Sequence, residues 1–191
     1  SRIFRHHLKD GRRIIWPSER DNWNHLYMYD RTTGQPLHQI TKGECYVREI
    51  VRIDEENELI YFTANGVQTD EDPYHIRYYR VGFDGNGFTD LTPERGTHKA
   101  WFSRDMQYLV DVYSTANDAP VTVLRDAKDG HAVMDLETAD ITRLEAEGWR
   151  APEVFAAKGR DGKTDMWGLI IRPSNFDPTK KYPVLITQYS G

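Results

Sequence analysis

Residues 59–92 read L-I-Y-F-T-A-N-G-V-Q-T-D-E-D-P-Y-H-I-R-Y-Y-R-V-G-F-D-G-N-G-F-T-D-L-T. Three runs rich in β-branched and aromatic residues stand out: 59–64, 75–81 and 88–92. Such side chains suit a pleated, half-buried surface. A polar excursion up to Pro73 and the turn Asp84-Gly85 separate the runs, and Gly and Pro clusters of this kind punctuate strands. Residues 46–53 supply one more strand ahead of them. The stretch therefore predicts a small sheet of four strands laid down consecutively.

The same order recurs on both sides. Upstream lie strands at 14–18, 25–30 and 37–41, with a turn at Thr33-Gly34 and a stop at Lys42-Gly43. Downstream lie 100–103, 108–114, 120–125 and 132–136, with the turn Asp129-Gly130. The period is about 45–50 residues, the range of four-stranded propeller blades. An antiparallel sandwich would explain the strand content. The propeller reading also explains why strand order and turn position repeat together. The expectation is a mainly β chain whose residues 1–137 form about three blades, part of a larger ring.

After Leu136 the pattern changes. Ile141, Leu144 and Ala146 have near-helical spacing, with Thr138 as a candidate N-cap and Gly148 as a stop, so 138–151 reads as a linker with a short helix. Residues 152–158 and 164–172 flank Gly159-Arg160-Asp161-Gly162 and read as a hairpin. A loop at 173–181 leads to an apolar run, Val184-Leu185-Ile186. Such a run suits a strand at 183–188 buried on both faces. That strand needs neighbours and covering helices, so the expectation is a piece of a larger protein, cut just inside a second domain. Its free edge would tend to associate with another chain.

Composition narrows the function classes. The net charge is −5 across 191 residues and the charges alternate in sign. No basic block of the kind that tracks a phosphate backbone occurs, which argues against nucleic acid. A single cysteine, Cys45, excludes an internal disulfide and a Cys-based zinc cluster. No apolar run reaches the ~20 residues of a membrane span, and residues 1–10 lack the apolar centre of a signal peptide.

Individual candidates read mostly as structural. His6-His7 lack the spacing of a zinc site and read as surface residues. Glu55-Glu56 sit in D-E-E-N-E, a solvated turn. Glu19-Arg20-Asp21 reads as a local ion-pair network. Thr69-Asp70-Glu71-Asp72 lacks the pattern of a calcium loop and reads as a mobile loop. Gly159 to Gly162 is a hairpin turn rather than a phosphate cradle, because no helix start follows. Among the tryptophans, Trp101 and Trp167 are expected in the core, while Trp23 either packs across its own blade or reaches a central chamber.

W-P-S-E-R-D-N-W-N-H-L-Y-M-Y-D (16–30), Y-F-T-A-N-G (61–66) and D-P-Y-H-I-R-Y-Y-R-V (72–81) resemble blade signatures of bacterial dipeptidyl peptidase IV-like enzymes of the prolyl oligopeptidase family. K-G-R-D-G-K-T-D-M-W-G-L-I-I-R-P (158–173) and K-K-Y-P-V-L-I-T-Q-Y-S-G (180–191) resemble that family's passage into its α/β-hydrolase domain. The resemblance implies that 152–191 begins a hydrolase domain. It implies a parent serine peptidase that removes N-terminal dipeptides, often X-Pro, from peptide substrates. No cofactor or metal is implied. A homodimeric parent and a periplasmic or other extracytoplasmic address are compatible with it.

The nucleophile of such an enzyme sits in a G-x-S-x-G elbow. None occurs here, Ser190-Gly191 included, so the chain alone is expected to be inactive. The glutamate pair that holds a substrate's amine would lie upstream, and Glu55-Glu56 do not match it. One role transfers by resemblance: Tyr189 matches the tyrosine whose hydroxyl donates to the oxyanion of the tetrahedral intermediate. Two other readings stay open. One is a non-catalytic β module that binds a protein partner. The other is an endopeptidase or acylaminoacyl peptidase of the same family.

Overall fold

The structure is a computed structural model and describes residues 4–187. It divides into two compact units, the first ending at Ala139 and the second starting at Asp140.

The first unit holds three four-stranded antiparallel sheets, each made of consecutive strands. Sheet 1 comprises β1 (His6–His7), β2 (Arg13–Ser18), β3 (His25–Asp30) and β4 (Pro36–Gln39). Sheet 2 comprises β5 (Tyr46–Asp54), β6 (Leu59–Asn65), β7 (Arg77–Gly82) and β8 (Thr89–Asp90). Sheet 3 comprises β9 (Thr97–Phe102), β10 (Tyr108–Ser114), β11 (Val121–Asp126) and β12 (Ala132–Thr138). These are the three repeats expected from the sequence, as propeller blades. The two-residue β1 had no apolar run to announce it.

Period-2 alternation decides what each sheet buries. Ile15, Leu26 and Met28 of sheet 1 meet Ile60, Phe62, Tyr79 and Val81 of sheet 2 in one apolar cluster. Removing such a side chain from water contributes roughly 1.5–3 kcal/mol. The opposite face of sheet 2 carries Tyr61 and Tyr78, and both rings pack on Phe102 of sheet 3, at 5.6 and 6.1 Å between centroids.

Two small devices repeat from sheet to sheet. Thr41 and Thr92, each two residues past the last strand of its sheet, accept the amide N–H of Leu26 and Tyr78 at 2.9 Å through their hydroxyls. Gly85 and Gly130, in the turns before β8 and β12, have φ of 83° and 81°. A Cβ on Gly85 would lie 3.0 Å from the Ile40 carbonyl, and one on Gly130 2.7 Å from the backbone of Leu91. Each turn is thus pressed against the main chain of the preceding sheet. Only glycine supplies both the conformation and the clearance.

Several expectations need correction. Trp101 is 51% exposed rather than core. It lies on the face of sheet 3 turned away from sheet 2, in register with Val110, with Lys99 over its ring at 5.2 Å. The 66–76 loop is anchored rather than loose, because Glu71 is buried against Arg77. Arg20 forms no ion pair with Glu19 or Asp21. Its guanidinium lies over Tyr27 at 4.7 Å and donates to the Tyr29 hydroxyl at 2.5 Å. Glu55 is not merely solvated: it accepts from the Lys9 amide at 2.7 Å and bonds His6 at 2.9 Å. Trp23 stays exposed in the turn before β3.

The second unit holds a short helix, α1 (Thr142–Ala146), and a hairpin of β13 (Glu153–Lys158) and β14 (Asp165–Ile170). Thr138 does not cap the helix, because it extends β12 opposite Val121. Asp140 instead accepts the Thr142 amide at 2.9 Å, and Gly148 ends the turn with φ 91°. Asp161 closes the hairpin turn through the amides of Lys163 and Thr164, both at 2.9 Å. Trp167 is half-buried on β14. Arg172 grips Glu153 with two hydrogen bonds of 2.7 and 2.9 Å and lies over Phe176 at 4.5 Å, which orders the start of the following loop. Residues 183–187 form no strand, and Val184, Leu185 and Ile186 are 79–97% exposed. The apolar run reads as a buried strand, but a strand needs a partner ladder, and no strand among the described residues pairs with it.

Candidate functional site

An open groove of about 1110 Å³ runs along one end of the three sheets. The alternation of strand direction brings the end of β2, the starts of β3, β5, β7 and β9 and the end of β6 to that same end. Its walls mix aromatic faces, from Trp16, Tyr29, Tyr46 and Tyr78, with charges of both signs, from Glu19, Arg20, Arg48 and Glu49. Asn24 ties sheets 1 and 2 together at the rim, donating to the Val47 carbonyl at 2.5 Å. Aromatic faces beside hydrogen-bonding side chains suit a ligand with both an apolar and a polar character.

His98 reaches the groove from a buried polar network. Its Nδ1 lies 3.0 Å from both carboxylate oxygens of Asp111, and its Nε2 lies 2.7 Å from the Glu94 carbonyl. Each ring nitrogen thus faces an acceptor. Asp111 also accepts from Arg125 Nε at 2.9 Å. Arg125 is fully buried, donates to the Gly130 carbonyl at 3.1 Å and pairs with Glu94. Burial opposes its charge, but Asp111 and Glu94 outweigh that and hold its pKa above the ordinary value. The His98 ring stacks on Tyr113 at 5.0 Å. The network joins β9, β10 and β11 to the segment after β8, and so holds His98 in place where it lines the groove.

A second cluster lies on the other face of sheet 2. Arg77 pairs with Glu71 and with Asp90 at 3.2 Å, and donates to the Pro93 carbonyl at 2.8 Å. Glu71 also bonds His75 at 3.2 Å. These contacts hold the 66–76 loop to β7 and β8.

Tyr189, the one catalytic candidate read from the sequence, lies outside the described residues. Among those described, the hydroxyls of Ser18 and Ser103 meet Arg20, Asp105 and the Tyr108 amide rather than a histidine. No group of three or more His, Cys, Asp or Glu side chains is arranged to hold a metal ion among the described residues. No described helix is long and apolar enough to cross a membrane. Cys45 is buried, which pushes its thiol pKa up. What the described residues build is an open groove of mixed polarity. Neither the groove nor the His98 network was marked in the sequence: the groove draws its walls from separate sheets, and the network joins residues on three neighbouring strands of sheet 3 to Glu94, up to 31 residues apart.

Comparison with known proteins bears on the family. Residues 2–120 match the family model described as the dipeptidyl peptidase IV N-terminal region. A dipeptidyl peptidase 4 from Trichophyton equinum is 32% identical over 185 residues, covering 91% of this chain and 22% of that protein. One from Arthroderma otae is 30% identical over 178 residues, with the same two coverages. The crystal structure of Porphyromonas gingivalis dipeptidyl peptidase 4 aligns with TM-score 0.68 and 25% identity, over 90% of this chain and 24% of that one. A second solved structure, from Bacteroides ovatus, aligns with TM-score 0.71 and 27% identity, over 93% and 27%. The chain spans about a fifth of the length of the curated relatives it matches. With three stacked four-stranded sheets and a family match over more than half its residues, the chain belongs to the dipeptidyl peptidase IV family, through that family's N-terminal region.

Proposed function

We propose that this chain is the segment of a dipeptidyl peptidase in which propeller blades give way to the start of an α/β-hydrolase domain, at residues 152–191. The observation that carries the reading is the continuous similarity to dipeptidyl peptidases over 91% of the chain, through the blades and into the second unit. In this reading the parent is a serine peptidase that cleaves dipeptides, often X-Pro, from peptide N-termini through an acyl-enzyme. The groove beside Trp16, Tyr46 and Tyr78 faces the path of the peptide and binds it without bond-making chemistry. Tyr189 donates its hydroxyl to the oxyanion, a single directional contact that strengthens as negative charge develops. The 191 residues carry no G-x-S-x-G elbow, so the chain by itself is inactive.

Two measurements test this. Tyr189→Phe in the full-length gene product should lower kcat on an X-Pro chromogenic substrate by ~10²–10³, the size of one lost oxyanion donor, with KM little changed. An unaltered kcat removes the role from Tyr189. The purified 191-residue chain should release no product, and measurable hydrolysis by it would refute the inactivity.

A further inference from the structure

Three hydrogen-bond donors stand in one row on the sheet 2 face turned toward sheet 3. Arg52 pairs in register with Tyr61, and Tyr61 with Arg80. Directly opposed residues of antiparallel strands point to the same face, so both arginines share the face of Tyr61, one on each neighbouring strand. Their strands are two spacings apart, about 9–10 Å, a span that two arginine side chains close easily by leaning over the middle strand.

None of the three has an anionic partner among the described residues. Arg52 makes one long hydrogen bond, 3.5 Å to the Arg104 carbonyl. Arg80 Nε is covered from solvent and meets no acceptor. Burial raises the Tyr61 pKa, which keeps its hydroxyl a donor. The charged groups that bear on the phenol are Arg80, Asp54 and Arg52. Asp54 is already committed to the amides of Glu56 and Asn57, at 3.1 Å each, and to the Asn57 side chain at 2.8 Å. Arg52 is exposed and Arg80 half-buried; the two buried arginines among the described residues of this unit, Arg77 and Arg125, each pair with two carboxylates. In a chain of net charge −5, two guanidinium groups on one sheet face with no carboxylate paired to either are a local excess of positive charge. An oxyanion would relieve it with charge-assisted, two-pronged hydrogen bonds.

We propose that Arg52, Tyr61 and Arg80 form a binding site for a small oxyanion, a phosphate or a carboxylate, at the seam between sheets 2 and 3. The two guanidinium groups hold the anion from either side and the phenol donates to it from below. Because Tyr61 packs on Phe102 of the neighbouring sheet, binding also braces the seam.

The test is calorimetric titration of the full 191-residue chain with inorganic phosphate and, separately, with acetate, each at fixed ionic strength set with chloride. Saturable binding is expected, weakened about tenfold or more in Arg80→Gln and in Arg52→Gln, the order of one charge-assisted hydrogen bond, and less in Tyr61→Phe. Arg80→Lys, which keeps the charge, should recover part of the loss and separates binding from folding defects, with circular dichroism checking each variant. Preference for phosphate or for acetate tells which oxyanion the row is shaped for. No saturable binding of either anion, or binding that the glutamine variants retain, overturns the proposal.

Discussion

The two seams of the first unit are held by different physics. Between sheets 1 and 2 the contact is an apolar cluster built around Ile15, Leu26, Met28, Ile60 and Phe62. Between sheets 2 and 3 it is aromatic, with Tyr61 and Tyr78 on Phe102, and on that same face of sheet 3 the charged network of Asp111, His98 and Arg125 ties the sheet to Glu94 in the connection from sheet 2. Apolar burial is non-directional and adds stability almost regardless of neighbour. A buried charged network adds little net stability, yet it penalises every arrangement that leaves one member unpaired. The first seam therefore supplies strength, and the second supplies register.

Single substitutions should break that contrast most visibly. Asp111→Ala leaves the buried Arg125 without one carboxylate and is expected to cost about 3–5 kcal/mol. Phe62→Ala should cost a similar ~3–5 kcal/mol, by opening a cavity. The seams separate in the second step. Replacing Asp111 and Arg125 together by apolar residues of similar volume should recover most of the loss, as read by urea denaturation. No polar-to-apolar exchange near Phe62 should do so. If the Asp111/Arg125 double variant is as unstable as Asp111→Ala, the second seam is not a specificity device.

A smaller effect sharpens the comparison at the backbone. Gly130→Ala meets both a positive φ and the Leu91 main chain, and should cost about 1–3 kcal/mol, the scale of local backbone strain. Gly34 has φ 68°, and a Cβ there would meet nothing within 4 Å. Gly34→Ala should therefore cost only its conformational share, roughly 1 kcal/mol, as read by the same denaturation. Equal losses would mean that the close approach of turn to neighbouring sheet contributes nothing.

The smallest effect lies in the second unit, where the hairpin is exposed and carried by local hydrogen bonds. The Thr164 hydroxyl first, then the amides of Lys163 and Thr164, pull the Asp161 pKa from 3.8 down to about 2. A carboxylate with a lowered folded pKa stabilises above its unfolded value and loses that contribution as pH falls through the folded one. The turn should therefore loosen between pH of about 4 and about 2. The Lys163 and Thr164 amide resonances should follow a titration centred near the lower value, and a midpoint near 3.8 would show that the turn does not hold the charge.

Strand positions were legible because each run of apolar residues ends at a turn residue whose geometry is local, as at Asp84-Gly85 and Asp129-Gly130. Which face of a strand is covered was not. Trp101 lies on β9 with alternation as good as that of Phe102, but the neighbouring sheet covers Phe102 alone. The helix start was misplaced because Thr138 has a competing use in β12, where pairing with Val121 takes precedence over capping. The groove and the His98 network were invisible for a different reason. Residues 98, 111 and 125 meet only through strand pairing within sheet 3, where Glu94 joins them from the segment after β8, and the groove draws on separate sheets; no spacing along the chain announces either.

Gly85 and Gly130 touch main-chain atoms of the preceding sheet rather than its side chains. A contact of that kind is indifferent to which residues the neighbour carries. Blades joined this way are free to exchange nearly their whole decoration over evolutionary time while the pitch of the stack stays constant, so long as the two turns keep a residue without a side chain.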